Sequence, residues 1–273
     1  MSLPWNSRVE LRLNRAAVHA TLYGGWPQRA HLRHAECACT PDGEADAGTP
    51  VWRPGAEVWR PALMAVLDEL QQSQPLQGLE VQAELDDAFT HLDVAEGSFG
   101  TASDAELERI AQACLRDTLG EDDAAFEVRC HLQGSERHLV LCALSRPLVQ
   151  ELRQALGSRG LVLTQLSPAF ARRWNRHRAA FGSGVFACAE RGHCVAALVR
   201  EGTLQAIAAA TCGDRPGSPP APAPLDVMVD RLRASLGIEA DELRRFVLID
   251  RSPPHAALSP RWNVQPDLPG AMA

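Results

Sequence analysis

The chain has 273 residues, is 45% apolar and carries a formal net charge of −7, so it has room for one or two domains with a sizeable core. The acidic balance argues against a nucleic-acid-binding face as its main function. No apolar run is long enough to span a membrane, and the opening MSLPWNSRVEL lacks the apolar stretch of a secretory signal.

In chain order, residues 8–14 and 17–24 alternate at period two and predict a hairpin, with a third strand over 28–39. Residues 40–58 are rich in Pro, Gly, Asp and Glu and predict a loop. Trp59 then staples a helix that has Pro61 in its first turn and Leu63, Val66, Leu67 and Leu70 on one face. Strands are expected at 79–85 and 90–94. Ser103 and Glu106 form a capping box that opens an amphipathic helix. A hairpin over 125–143, a helix over 146–156, a strand over 160–166 and an Arg-rich helix from Ser167 to about Phe181 follow.

Residues 184–213 read as three antiparallel strands, with turns at Arg191-Gly192-His193 and Arg200-Glu201-Gly202. After a Pro-rich linker (214–224) come a helix at 225–236 and a buried strand at 245–250. Eight scattered cysteines do not form a dense disulfide framework. Cys114, Cys130, Cys142, Cys188 and Cys194 lie in periodic apolar segments and read as buried free thiols, so the chain is taken as reduced and cytoplasmic.

Both the opening and the meander at 184–213 run strand, strand, strand, helix. Two such βββα halves describe the actin-like (ribonuclease-H-like) duplication, an α/β fold, with the second half shortened. The expected division is a first half with insertions at 1–181, a second half at 182–251, and a Pro-rich tail at 252–273.

The segment Leu139–Trp174, LVLCALSRPLVQELRQALGSRGLVLTQLSPAFARRW, resembles the strand–helix–strand before the second half of PilM-like proteins. That family includes the cytoplasmic domain of GspL in type II secretion and its relatives in type IV pilus assembly. The meander with Arg200-Glu201-Gly202 is similar to its second-half hairpins. The resemblance spans roughly residues 80–210. It implies a cytoplasmic scaffold that binds a short peptide or an assembly ATPase, at the inner membrane through partners rather than by insertion.

Actin-like ATPases hold phosphates with two hairpin turns, each bearing an Asp followed two residues later by Gly. Here the first pair falls on Arg12 and Asn14 and the second on Cys188 and Glu190. Neither pair survives, and Glu190 is expected to repel a phosphate. No nucleotide cofactor is therefore expected. The alternative is a divergent phosphotransferase whose acids come from Asp86, Asp87 or Asp250.

His31, His34, Cys37 and Cys39 supply zinc-ligand chemistry. On a strand, however, His34 faces away from the other three, so no metal is expected there. His193 and Cys194, with Glu190 nearby, raise a nucleophilic thiol, but neighbours on a strand point apart. The helix bearing Arg172, Arg173, Arg176, His177 and Arg178 reads as a solvated basic face. No Walker A motif, dinucleotide fingerprint or H-E-x-x-H motif is present.

Overall fold

The computed structural model describes residues 7–24, 31–39, 56–119, 125–190, 193–211, 224–239, 243, 245–250 and 261–266. Residues 40–55 of the expected loop, residues 214–223 of the Pro-rich linker, the Arg191-Gly192 turn and most of the tail lie outside these residues; residues 56–58, expected as loop, already belong to the first helix.

Alternating apolar positions build the first sheet. β1 (Arg8–Leu13), β2 (Ala17–Tyr23) and β3 (His31–Ala38) form an antiparallel meander, and β4 (Glu80–Leu85) and β8 (Val162–Pro168) add in parallel. The order is β3-β2-β1-β4-β8. Val9, Leu11, Leu13, Val18, Ala20, Leu22, Val81 and Ala83 are buried and share one face by period two. Helices α1 (Ala56–Ser73) and α3 (Arg146–Gly157) belong to the same unit. The opposite face is polar and carries the ion pairs Arg8–Glu10, Arg12–Glu84 and His19–Glu36. Helix α1 begins before Trp59, so Pro61 sits in its second turn rather than its first. Trp59 is buried as expected.

Between β4 and α3 the chain inserts β5 (Thr90–Glu96), α2 (Asp104–Leu119), β6 (Phe126–Leu132) and β7 (His138–Ser145). The strands form a separate sheet in the order β5-β7-β6. The capping box holds at the start of α2. The Ser103 backbone amide and hydroxyl both donate to Glu106 Oε2, at 2.9 and 2.8 Å.

The second five-stranded sheet repeats the first. β9 (Gly184–Glu190), β10 (His193–Arg200) and β11 (Thr203–Thr211) are antiparallel. β12 (Phe246–Asp250) and β13 (Asn263–Pro266) add in parallel, and the order is β11-β10-β9-β12-β13. β13 lies in the stretch expected to be a tail. Its four residues are too short and too polar to show periodicity. Trp262 anchors it: the ring packs edge-on against Phe246 at 5.4 Å, and Nε1 donates to Asp226 Oδ1 at 2.9 Å.

β9 is buried along its whole length, and successive residues feed two cores. Val185, Ala187 and Ala189 meet α5 (Pro224–Ser235) through Leu225, Met228 and Val229. Phe186 and Cys188 meet Phe170, Trp174, Phe181 and Leu92 on the other side. Small residues let the strands carry helices on both faces. At Gly184, with φ of +141°, an added Cβ would stand 2.2 Å from the Arg245 carbonyl oxygen, so only glycine fits where β12 approaches.

By contacts, one unit comprises residues 1–90, 124–127 and 144–169, and the other comprises 91–123, 128–143 and 170–273. This differs from the expected division near residue 181, because Phe170 and Trp174 of α4 (Ala169–His177) and Leu92 of the insertion share the core of the second sheet. Among the described residues no helix is long and apolar enough to cross a membrane.

Candidate functional site

The β1–β2 turn, where the first phosphate turn is expected, is closed from within. Asn14, 2% exposed, turns its Oδ1 onto the backbone amides of Ala16 and Ala17 at 3.0 and 2.7 Å, while its own amide donates to the Ala17 carbonyl at 3.1 Å. Amides that would have to reach a phosphate are thus already satisfied. Arg12 is held by the nearly buried Glu84 at 3.1 Å.

The second expected position, Glu190, ends β9. Glu190 accepts a 2.6 Å hydrogen bond from Arg173, and these side chains are 9% and 2% exposed. A buried carboxylate this close to a guanidinium is neutralised locally, which corrects the expectation that Glu190 simply repels anions. It also corrects the solvated basic face, since Arg173 and Trp174 of α4 point inward. Period two turns Cys188 into the aromatic core.

The acids of the alternative reading are placed as follows. Asp86 and Asp87 follow β4 and are buried at 4% and 5% exposed. Asp86 Oδ1 accepts from the Ala88 amide at 3.0 Å, and the Asp86 amide donates to the Leu13 carbonyl beside the β1–β2 turn. Asp250 ends β12.

Of the linear His/Cys set, the His31 side chain lies outside the described residues, and His34 is not brought to Cys37 and Cys39. Cys39 is buried with its thiol toward the Asn14 carbonyl, and Cys37 contacts the Ala38 carbonyl. Both are free thiols on the face of β3 that His34 does not share. Instead, His34 meets His19 and Glu36 across the β2–β3 pair. That grouping was legible only once the register was known.

Cys194 is disulfide-bonded, which corrects its reading as a free thiol and removes it as a nucleophile. Such a bond is uncommon in a reducing compartment. Burial pushes the thiols of Cys114 and Cys130 up, and nearby carboxylates add to that, so neither is an activated nucleophile.

The second unit contains a groove of about 230 Å³. Leu92, Trp174 and Ile207 supply apolar lining, and Asn175, Arg178 and Thr203 supply polar groups. Two devices fix its walls. Gln133 clamps the β6–β7 turn to β11, donating to the Leu204 carbonyl and accepting from the Leu204 amide, both at 2.8 Å. Trp174 is seated edge-on against Phe181 and Phe186 at 5.8 and 5.4 Å. The opposite turn is tight as expected, with Glu201 and Gly202 at φ of +52° and +74°. Ser183 Oγ accepts from the Glu201 amide at 2.8 Å.

The chain matches no protein-family model and no curated protein. Solved structures do resemble it. The cytoplasmic domain of EpsL, an inner-membrane component of the type II secretion system of Vibrio cholerae, is 12% identical at a TM-score of 0.56, covering 95% of this chain and 89% of that one. The PilM–PilN type IV pilus biogenesis complex gives 16% identity, a TM-score of 0.57, and 89% and 81% coverage. A Bacteroides thetaiotaomicron protein with an actin-like ATPase fold and unknown function gives 8%, 0.54, and 92% and 84%. At these identities the likeness establishes the fold, which is actin-like.

Proposed function

We propose that this chain is a non-catalytic adaptor in a bacterial pilus or type II secretion assembly platform. It binds a partner peptide or an assembly ATPase on the cytoplasmic side of the inner membrane, which it reaches through those partners. What supports this reading is that Asn14 satisfies the amides of the β1–β2 turn, and that Glu190, at the second expected phosphate position, is paired with Arg173. The folds of the EpsL cytoplasmic domain and the PilM–PilN complex support the setting. The groove between the inserted sheet, α4 and β11 offers an extended peptide an apolar floor with a few polar groups to fix its register.

The reading is tested by two-hybrid measurement against the pilus and secretion platform proteins of the same cell. The chain pairs with one of them, and Thr203→Arg, which fills the groove from a partly exposed position, abolishes the pairing. A pairing that Thr203→Arg leaves intact moves the interface elsewhere. The alternative reading, a phosphotransferase, draws on the buried Asp86 and Asp87 beside the first turn and on Asp250 at the end of β12. Magnesium-dependent nucleotide binding would favour it.

A further inference from the structure

A different cluster lies on the polar face of the first sheet. β2 and β3 run antiparallel with His19 opposite Glu36 and Thr21 opposite His34, so period two puts all four side chains on one face. His19 Nδ1 stands 3.4 Å from Glu36 Oε2. The two imidazoles stack with centroids 6.1 Å apart and planes inclined by 26°. One donor atom from each of His19, His34 and Glu36 lies within 4.8 Å of the others.

We propose that His19, His34 and Glu36 form a binding site for a divalent cation of the zinc, cobalt or nickel class. Two imidazoles and a carboxylate suit such borderline ions. Bonds of about 2.1 Å in tetrahedral geometry place neighbouring ligand atoms about 3.4 Å apart, which is the spacing already present between His19 and Glu36. His34 is exposed, so its ring has room to swing in and shorten the remaining separations. Three protein ligands leave one position open to solvent or to a partner's side chain.

The surroundings bear on which ring nitrogen is available. Thr21 Oγ1 and His34 Nδ1 are 3.1 Å apart, so ligation through Nε2 keeps that hydrogen bond and fixes the ring plane. The arginines of β1 on this face each sit against a carboxylate, Arg8 on Glu10 and Arg12 on Glu84, which offsets their repulsion of a cation. One contact opposes capture. Asn14 Nδ2 lies 3.4 Å from His19 Nε2, and its amide orientation is set by Ala16 and Ala17. A metal on Nδ1 puts the proton on Nε2, facing another donor. Aspartate at position 14 would keep the acceptor for Ala16 and Ala17 and would also accept from that Nε2–H.

The untagged full chain is titrated with Zn²⁺ by calorimetry and with Co²⁺ by visible absorption. The site predicts one equivalent bound. His19→Gln, His34→Gln and Glu36→Gln each weaken affinity by about tenfold or more, and Asn14→Asp tightens it by about tenfold. Cys37→Ser and His31→Gln leave it unchanged. Because His34 and Glu36 are exposed, loss in those two variants does not report unfolding. Failure to bind one equivalent overturns the proposal, as does full affinity in His34→Gln. Loss on Cys37→Ser would return the ligands to the linear His/Cys run, and weaker binding by Asn14→Asp contradicts ligation through Nδ1.

Discussion

Arg173 and Glu190 are the most consequential charged pair in the second unit, because both are withdrawn from water at a separation of 2.6 Å. Removing one partner strands the other. Glu190→Ala is therefore expected to cost about 3–5 kcal/mol, whereas an apolar replacement of both restores much of it. Urea unfolding of the single and double variants measures this. A double-variant loss equal to the sum of the two single losses would show that the pair contributes nothing as a pair. Little of this was readable beforehand, since Arg173 stands in a run of arginines that looks solvated, and only the packing of Phe170 and Trp174 turns it inward.

His91 gives a pH signature at the same scale. Burial depresses its imidazole below the ordinary 6.5, the nearby Asp93 opposing with a smaller effect, and its Nε2 is buried without a hydrogen-bond partner. Just below pH 6.5 the unfolded chain binds a proton that the folded chain refuses. Stability therefore falls as pH drops through that window and is regained as pH rises. Unfolding midpoints at about pH 7.5 and about pH 5.5 should lie closer together in His91→Leu than in the parent chain. An unchanged gap assigns the slope to other groups.

Among the elements, β13 and the helix bearing Trp174 decide where the second unit ends and what it includes. Trp262 is 7% exposed, packs edge-on against Phe246 and bonds Asp226. Trp262→Ala is expected to destabilise by about 3–5 kcal/mol in chemical unfolding, while a change near zero would return residues 261–266 to the status of a loose tail. The strands and helices before Asp250 were legible from period-two and period-3.6 patterns, with capping residues marking the start of α2. β13 was not, because a four-residue strand carries no period and its pairing is set by a distant tryptophan. The groove was hidden for a related reason. Leu92, Trp174 and Thr203 are far apart in sequence and line one groove only after folding, with Gln133 holding Leu204 beside Thr203.

At the scale of the whole molecule, one topology is written twice. An antiparallel meander is extended by two parallel strands in each half, with the same strand order. In the first half Asn14 satisfies the β1–β2 turn, and in the second Glu190 is paired with Arg173 beside the β9–β10 connection. The sequence showed that Asp and Gly were missing from those turns, but not what replaced their chemistry, because Asn14 acts through its side-chain carbonyl and Glu190 through a helix not adjacent in sequence.

The central claim, that an actin-like frame has lost its nucleotide, is met most directly by thermal unfolding with and without millimolar ATP and magnesium. A ligand at about 100 times its dissociation constant adds about 2.7 kcal/mol, a shift of several degrees. We expect no shift beyond that produced by magnesium alone. A clear shift that requires both ATP and magnesium would contradict the account and bring Asp86, Asp87 or Asp250 forward as the working acids.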